Sequence, residues 1–510
     1  MSPLGRILLY STVFITGAIV LMLEVSAVRL FAPYFGSSLT VLSSVLTVIL
    51  LALSFGYSIG GRLADRAPSA TLLMTILGLA GVSTLALFYL SLTTLPALAP
   101  DSILFTPLIL ALLFFFLPAL LLGIDSPFVA KLLTLETSGK EGTIVGNVFF
   151  VSTLGSIAGS LSAGFYFIPT HGLINTIIGS SLVLVLWTAS YLAIVVGKKT
   201  ERIIALTLLM VIFILLMLRP AYPPTPRGGE IVTTRDGLYS SLLVYDIQQN
   251  GTTYRFLKND VNLSSGIALG TSTLPFPYAT LATSYEPMVP TPQNYLVLGG
   301  GAFTIPQAVH KYAPSLTIET VEVEPYLPEI AKKYFGVTDA PELRTHTTDA
   351  RVYLNESTST YDVIFSDVMN SGHYIPPHLL TTEFFALLKS RLAPDGVILM
   401  NYIGSLDTRQ TTMTGSLTKT IMTSFNNYKL IPMDDEKSKG VQNIMIVMRH
   451  EGQPITFGET HVPDTLFGPG FRIDDRLTTI SEKDLMDETI FTDNALMAES
   501  LMAKQLRLHR

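Results

Sequence analysis

The sequence predicts two parts in series: an α-helical transmembrane bundle, then a small antiparallel β region leading into a doubly wound, Rossmann-like α/β domain. Three observations carry this. Apolar residues concentrate before about residue 220, in seven runs long enough to cross a bilayer. A proline-rich stretch, RPAYPPTPRGG at 219–229, follows as an extended linker. Beyond it, 295–324 reads YLVLGGGAFTIPQAVHKYAPSLTIETVEVE, the order strand, glycine turn, helix, strand, acid. The expected divisions are a helical domain at 1–219, the linker at 220–229, a β platform at 230–290, the α/β domain at 291–450 and an extension at 451–510.

Composition narrows the function classes. A mean hydropathy of +0.47 with only 14% charged residues over 510 positions is far from that of a soluble protein. A net charge of −6 without a basic, aromatic-interleaved patch excludes a nucleic-acid surface. The absence of cysteine excludes disulfides, thiolate metal sites and cysteine nucleophiles, and the eight histidines lack HExxH-type spacing, so no metal is expected.

The apolar runs lie at about 7–30, 39–60, 71–92, 103–124, 144–168, 174–196 and 203–218. The first is too long, and too soon followed by others, to be a cleaved leader. In the fifth, Gly155 and Gly159 recur four apart beside Ser152, Ser156 and Ser160, a spacing that admits close helix contact and predicts a span inside the bundle. Glu24 reads as the one carboxylate deep in a span, and an ionisable group in hydrocarbon is a functional candidate. In the plainer reading, Glu24 bonds a neighbouring helix while Arg29 snorkels to the interface. GGRLADR at 60–66 is weakly similar to a loop signature of major-facilitator transporters, whose twelve spans exceed the seven here. Arg6, Arg62, Arg66, Lys131, Lys140, Lys198, Lys199 and Arg202 all fall on the amino-terminal side of the membrane. The positive-inside rule makes that side cytoplasmic and, with seven spans, puts the C-terminal half outside.

From 230 to 267 apolar residues alternate, and Asn250-Gly251 fits a two-residue hairpin turn, so a small antiparallel sheet is expected, either as a packing platform or as part of a site. Gly299, Gly300 and Gly301 let the backbone turn sharply and approach a ligand. The next β-rich run ends on Glu322 and Glu324, placed to accept hydrogen bonds from ribose hydroxyls. Then come a helix to 334, a strand at 343–347, Thr348-Asp349-Ala350, and a strand at 361–366 ending on Asp367. The loop after Asp367 offers His373 and Tyr374 as lid or substrate residues, while His378 reads as part of the start of a helix at 381–392. Strands at 397–400, near 429–431 and at 443–447 complete the sheet, and a terminal helix is expected at 495–508.

The order glycine turn, acid after the second strand, Thr348-Asp349-Ala350, then Tyr361-Asp362-Val363-Ile364 with Asp367 three residues on, resembles the class I S-adenosylmethionine-dependent transferases. More narrowly it resembles the spermidine synthase family of polyamine aminopropyltransferases, including membrane-fused members. Glu24-x-x-x-x-Arg29-Leu30-x-Ala32-Pro33-x-x-Gly36 extends the likeness into the helical half. The resemblance implies S-adenosylmethionine or its decarboxylated form as cofactor. Gly299, Gly300 and Gly301 would lie beside its methionine-derived portion, Glu322 on the ribose and Asp349 toward the adenine amino group. Glu324, Ala350 and Asn262 complete that set. It further implies Asp367, Asn370 and Tyr278 as the catalytic group, Asp367 taking a proton from the attacking amine.

The chain departs from the family at several of these positions. Ala302 and Phe303 replace Asp-Gly, Asn370 replaces an acid, Ala279 and Thr280 replace His-Glu after Tyr278, and Asn262 falls near a glutamine. Three functions stay open: aminopropyl transfer to an amine, methyl transfer to a membrane-proximal lipid, glycan or protein, and a non-catalytic transporter or receptor for a nucleoside or polyamine. The partners implied are the lipid bilayer and a small amine or membrane-proximal acceptor, with a homodimer open. The localisation implied is the cell membrane, multi-pass. Charge puts the C-terminal half outside, whereas the supply of a cytosolic cofactor puts it inside.

Overall fold

The computed structural model describes every residue except 1–2, 36–38, 99–104, 136–138, 221–227, 261, 272, 370–374, 408–412, 435–439, 469, 495–500 and 502–510. Most of the linker, Asn370, His373, Tyr374 and most of the expected terminal helix lie outside the described residues. The chain divides into two compact units, Met1–Pro224 and Thr225–Arg510.

The first unit is helical: α1 (Pro3–Phe35), α2 (Leu39–Arg66), α3 (Ala70–Leu98), α4 (Thr106–Gly123), α5 (Asp125–Thr134), α6 (Glu141–Ser162), α7 (Ile168–His171), α8 (Leu173–Ser190) and α9 (Lys199–Met217). Among the described residues these make seven helices long and apolar enough to cross a membrane. Two expectations are corrected. The fourth span does not stop at 124 but runs Thr106–Thr134, through Asp125, which is 1% exposed. Asp125 therefore lies deeper than Glu24, which like Arg29 is only partly buried on α1. Its Oδ2 accepts a hydrogen bond from Thr16 on α1. The sequence window closed at Ile124 because a charged residue lowers the local hydropathy, although a neighbouring hydroxyl satisfies one of its oxygens.

The second correction concerns α6. Gly155 and Gly159 do make a close contact: a Cβ on either would lie 2.1 Å from the carbonyl oxygens of Phe14 and Ala18 on α1. That single seam does not put the span inside the bundle, since only 17% of its apolar window is buried, against 50% for α1. Phe150 and Phe165 on the same stretch are exposed. Lys131 sits on α5 and pairs with Asp65 at 2.6 Å.

The second unit opens with a four-stranded antiparallel sheet, β1 (Gly229–Asp236), β2 (Ser241–Gln249), β3 (Thr252–Asn259) and β4 (Asn262–Ala268), in that order. Asn250 and Gly251 turn β2 into β3 with φ of 51° and 78°, the positive pair that a tight hairpin requires. A short helix, α10 (Pro277–Leu281), leads to a seven-stranded sheet.

That sheet holds β5 (Asn294–Leu298), β6 (Thr317–Glu322), β7 (Leu343–Thr347), β8 (Tyr361–Ser366), β9 (Leu392–Gly404), β10 (Asn427–Pro432) and β11 (Gln442–Arg449), in the order β10-β11-β9-β8-β5-β6-β7. Its connections carry α11 (Thr304–Tyr312), α12 (Leu327–Tyr334), α13 (Ala350–Glu356), α14 (Thr382–Arg391) and α15 (Met413–Met422). The pairs from β7 across to β9 are parallel, while β11 is antiparallel to both of its neighbours. The sheet is thus mixed rather than wholly parallel, a distinction that a strand list hides because it does not separate a hairpin return from a crossover. On β5, Leu296 and Leu298 pack into one core layer with Phe384, Phe385 and Leu417. Tyr295 and Val297 face the other layer with Tyr285, Leu281 and Phe256. Burial on both faces explains why the strand is continuously apolar rather than alternating. The chain leaves β5 toward β6 and β7, then returns to β8 on its other side, so β5 and β8 form a topological switch point whose carboxyl ends open a crevice.

Candidate active site

The crevice contains a cavity of about 450 Å³, lined by groups from both sheets. At its floor Gly299 has a φ of 91°, and a Cβ there would meet the Asp367 carbonyl oxygen at 2.4 Å. The glycine turn after β5 and the acid after β8 are therefore in direct backbone contact. Glu322, at the end of β6, secures the turn: its Oε2 accepts from the amides of Gly300 (2.8 Å) and Gly301 (3.0 Å), and its Oε1 from that of Glu324 (2.9 Å). Burial pushes its carboxyl up and the three amides pull it back down. A carboxylate offers about four lone-pair sites, so one direction stays open.

Glu324 lines the same cavity. It is 2% exposed, and its oxygens accept from the amides of Leu238 (3.2 Å) and Tyr239 (2.8 Å) in the β1–β2 turn. It anchors the small sheet to the α/β domain at the edge of the cavity. The small sheet is more than a platform: Ser265 on β4 accepts from the Ala302 amide at 3.0 Å, and buried Asn262 lines the cavity.

Asp349 caps α13, its Oδ1 accepting from the amides of Arg351 and Val352. Its Oδ2 lies 2.9 Å from His378 Nε2, and this bond, ahead of the opposing effect of burial, holds the carboxyl below its usual range. Asp349 and Ala350 both line the cavity. Asp367 is held from two sides. Asn401 Nδ2 donates to its Oδ1 at 2.8 Å, and the hydroxyl of Tyr278, on α10, also donates to it. Desolvation nevertheless raises its carboxyl to about 6.

Asn401 and Asp434 are site residues that carry no signal in the sequence, and His378 joins the site rather than only the start of α14. Asn401 is 2% exposed on β9, one residue past the strand expected at 397–400, and its Oδ1 has no hydrogen-bond partner among the described residues. Asp434 follows β10 and lines the cavity. Its carboxyl is raised by desolvation, with Arg476 opposing.

Phe303, where the resemblance implies a glycine, has a visible consequence for the turn. Phe303 sits in the left-handed region, φ 58° and ψ 18°, directly before α11. Its ring is buried with Ala302, Leu242, Val244 and Leu327. The strain costs about 1–2 kcal/mol, and deleting a buried phenylalanine costs about 3–5 kcal/mol. Phe303→Gly is therefore expected to lower stability by about 2 kcal/mol in a denaturant titration, despite relieving the backbone.

Residues 280–429 match the spermine/spermidine synthase domain. A polyamine aminopropyltransferase of Vibrio vulnificus is 35% identical over 129 residues, covering 25% of this chain and 43% of that one. Polyamine aminopropyltransferase 1 of Streptomyces coelicolor is 23% identical over 413 residues, covering 78% of this chain and 76% of its own length. That alignment is longer than Thr225–Arg510, so it continues into the helical unit. An eEF1A lysine and N-terminal methyltransferase of Mus musculus is 31% identical over 127 residues, covering 23% of this chain and 18% of that protein. The C-terminal unit carries a spermine/spermidine synthase domain.

Proposed function

We propose that this protein is a membrane-embedded aminopropyltransferase, moving the aminopropyl group of decarboxylated S-adenosylmethionine to an amine acceptor. The observation that carries the reading is Asp367: a carboxylate poised near pH 6, steadied by Tyr278 and Asn401, on the same crevice edge as the glycine turn, Glu322 and Asp349. The donor's sulfonium brings its own leaving group, a neutral thioether. The protein's part is to position the acceptor and take its proton. Asp367 would accept a proton from the amine as the new C–N bond forms and the C–S bond breaks, its electrons remaining on sulfur. The orphan Oδ1 of Asn401 offers a second acceptor for the amine's hydrogens.

Methyl transfer is the second reading, favoured by the mouse methyltransferase match and by the loss of Asp-Gly at 302–303. Both reactions need a neutral nucleophile and a nearby base. Titration calorimetry with S-adenosylmethionine and with its decarboxylated form separates them. Tighter binding of the decarboxylated form, with amine-dependent turnover, is expected; preference for the carboxylated form would reverse the order of the readings, and binding of neither would remove both. The bilayer reading rests on the seven apolar helices. Protease accessibility in oriented vesicles reports which side the C-terminal unit occupies.

A further inference from the structure

Asp349 does not stand alone. A closed ring of hydrogen bonds runs through it. Its Oδ1 accepts from the Arg351 amide, the Arg351 guanidinium donates to the His378 carbonyl at 2.9 Å, and the His378 ring returns to Asp349 Oδ2 at 2.9 Å. The ring is tied from outside by the C-terminal segment. Asp493 makes a bidentate pair with Arg351 at 2.7 and 2.6 Å, and its own amide donates to Glu383. Phe491 stitches the same segment down, donating to Thr420 and accepting from the Thr382 amide.

We propose that His378 is a positioning residue for nucleobase recognition, fixing the orientation of the Asp349 carboxylate, and that the C-terminal segment serves the same site through Arg351. This rests on the nucleoside reading above. A carboxylate on a helix N-cap can rotate about its Cβ–Cγ bond. With two amides on Oδ1 and an imidazole on Oδ2 that rotation is blocked, and the remaining lone pairs keep one direction into the cavity. An acceptor so fixed takes the hydrogen of an exocyclic amino group and repels a carbonyl oxygen at the same place, so the arrangement selects a 6-aminopurine over a 6-oxopurine. Charge also favours this assignment: the bond to His378 keeps Asp349 an anion, and hence an acceptor only. His378 is nearly half exposed, its side chain at 45% of full exposure, so its replacement removes little packing.

The test uses the full-length protein in detergent with two probes, methylthioadenosine and methylthioinosine, by calorimetry. The wild type is expected to prefer the amino nucleoside by more than about tenfold. His378→Ala should weaken methylthioadenosine about tenfold while leaving methylthioinosine nearly unchanged, collapsing the preference. His378→Asn, which keeps a donor, should recover part of it. Asp493→Asn should produce a smaller loss in the same direction. Unchanged affinity and preference in His378→Ala would overturn the proposal, as would equal weakening of both nucleosides, the pattern of a general structural defect. Failure of the wild type to bind either nucleoside sinks the nucleoside reading itself and takes this inference with it.

Discussion

Asp367→Asn is expected to lower kcat by on the order of a thousandfold while leaving methylthioadenosine affinity within about a factor of two. The substitution preserves shape. The new amide keeps one oxygen for Asn401 or Tyr278, but it cannot take up a proton. An equal loss in nucleoside binding would show that the residue acts through the shape of the crevice instead. In the wild type, a base raised to about 6 predicts a kcat/KM that falls about tenfold per unit below that pH, and the variant should lose that limb. Stability has the opposite slope. The carboxyl is raised above its ordinary value, so its favourable contribution is complete at acid pH and is lost as pH rises from the ordinary carboxylate range through about 6. Thermal melts of the wild type should lose stability across that window, and Asp367→Asn should not.

The parts of this site that were legible in the sequence are those fixed by short-range geometry. Three glycines after an apolar run, an acid at the end of the next strand and Asp349 before a helix each announce themselves within a few residues, because strand ends and helix caps are local. Partnerships across the fold were not legible. Glu324 lines the cavity, but its bonds to the Leu238 and Tyr239 amides, 86 and 85 residues away in sequence, cannot be read from its neighbours. The cap of the next helix is local and legible, Thr381 accepting from Phe384, but the reach of His378 to Asp349 is not. Asn401 was missed because an asparagine within an apolar strand carries no signal until Asp367 is seen beside it. In the helical unit the seven long apolar helices are plain from hydropathy alone. Asp125 is not, since a carboxylate lowers the local hydropathy, yet the helical stretch runs through it to Thr134 and Thr16 on α1 donates to it. The small-residue spacing of α6 correctly marked a close contact but could not tell one seam from full enclosure.

Gly299→Ala is expected to have the largest effect of any single-methyl change in the C-terminal unit. Two independent penalties meet there. A φ of 91° falls where an alanine is strained by roughly 1–2 kcal/mol. The new Cβ would also stand 2.4 Å from the Asp367 carbonyl oxygen, a backbone atom that no rotamer change can withdraw. Either the glycine turn or the start of the loop after β8 must move, and both carry function. Displacing the turn tilts the Gly300 and Gly301 amides off Glu322; displacing the loop moves Asp367 off Tyr278 and Asn401. A shift on the order of 1 Å at such a junction costs about a hundredfold in rate, and the combined strain should lower stability by about 3 kcal/mol. Gly300→Ala provides the contrast. Its Cβ would meet the Phe303 ring edge at 2.9 Å, a side chain rather than backbone, and its φ is not positive, so it should lose less stability than Gly299→Ala. If the two variants melt alike and turn over alike, the contact between the glycine turn and Asp367 does not organise the crevice, and nucleoside binding and proton transfer are set by separate parts of the fold.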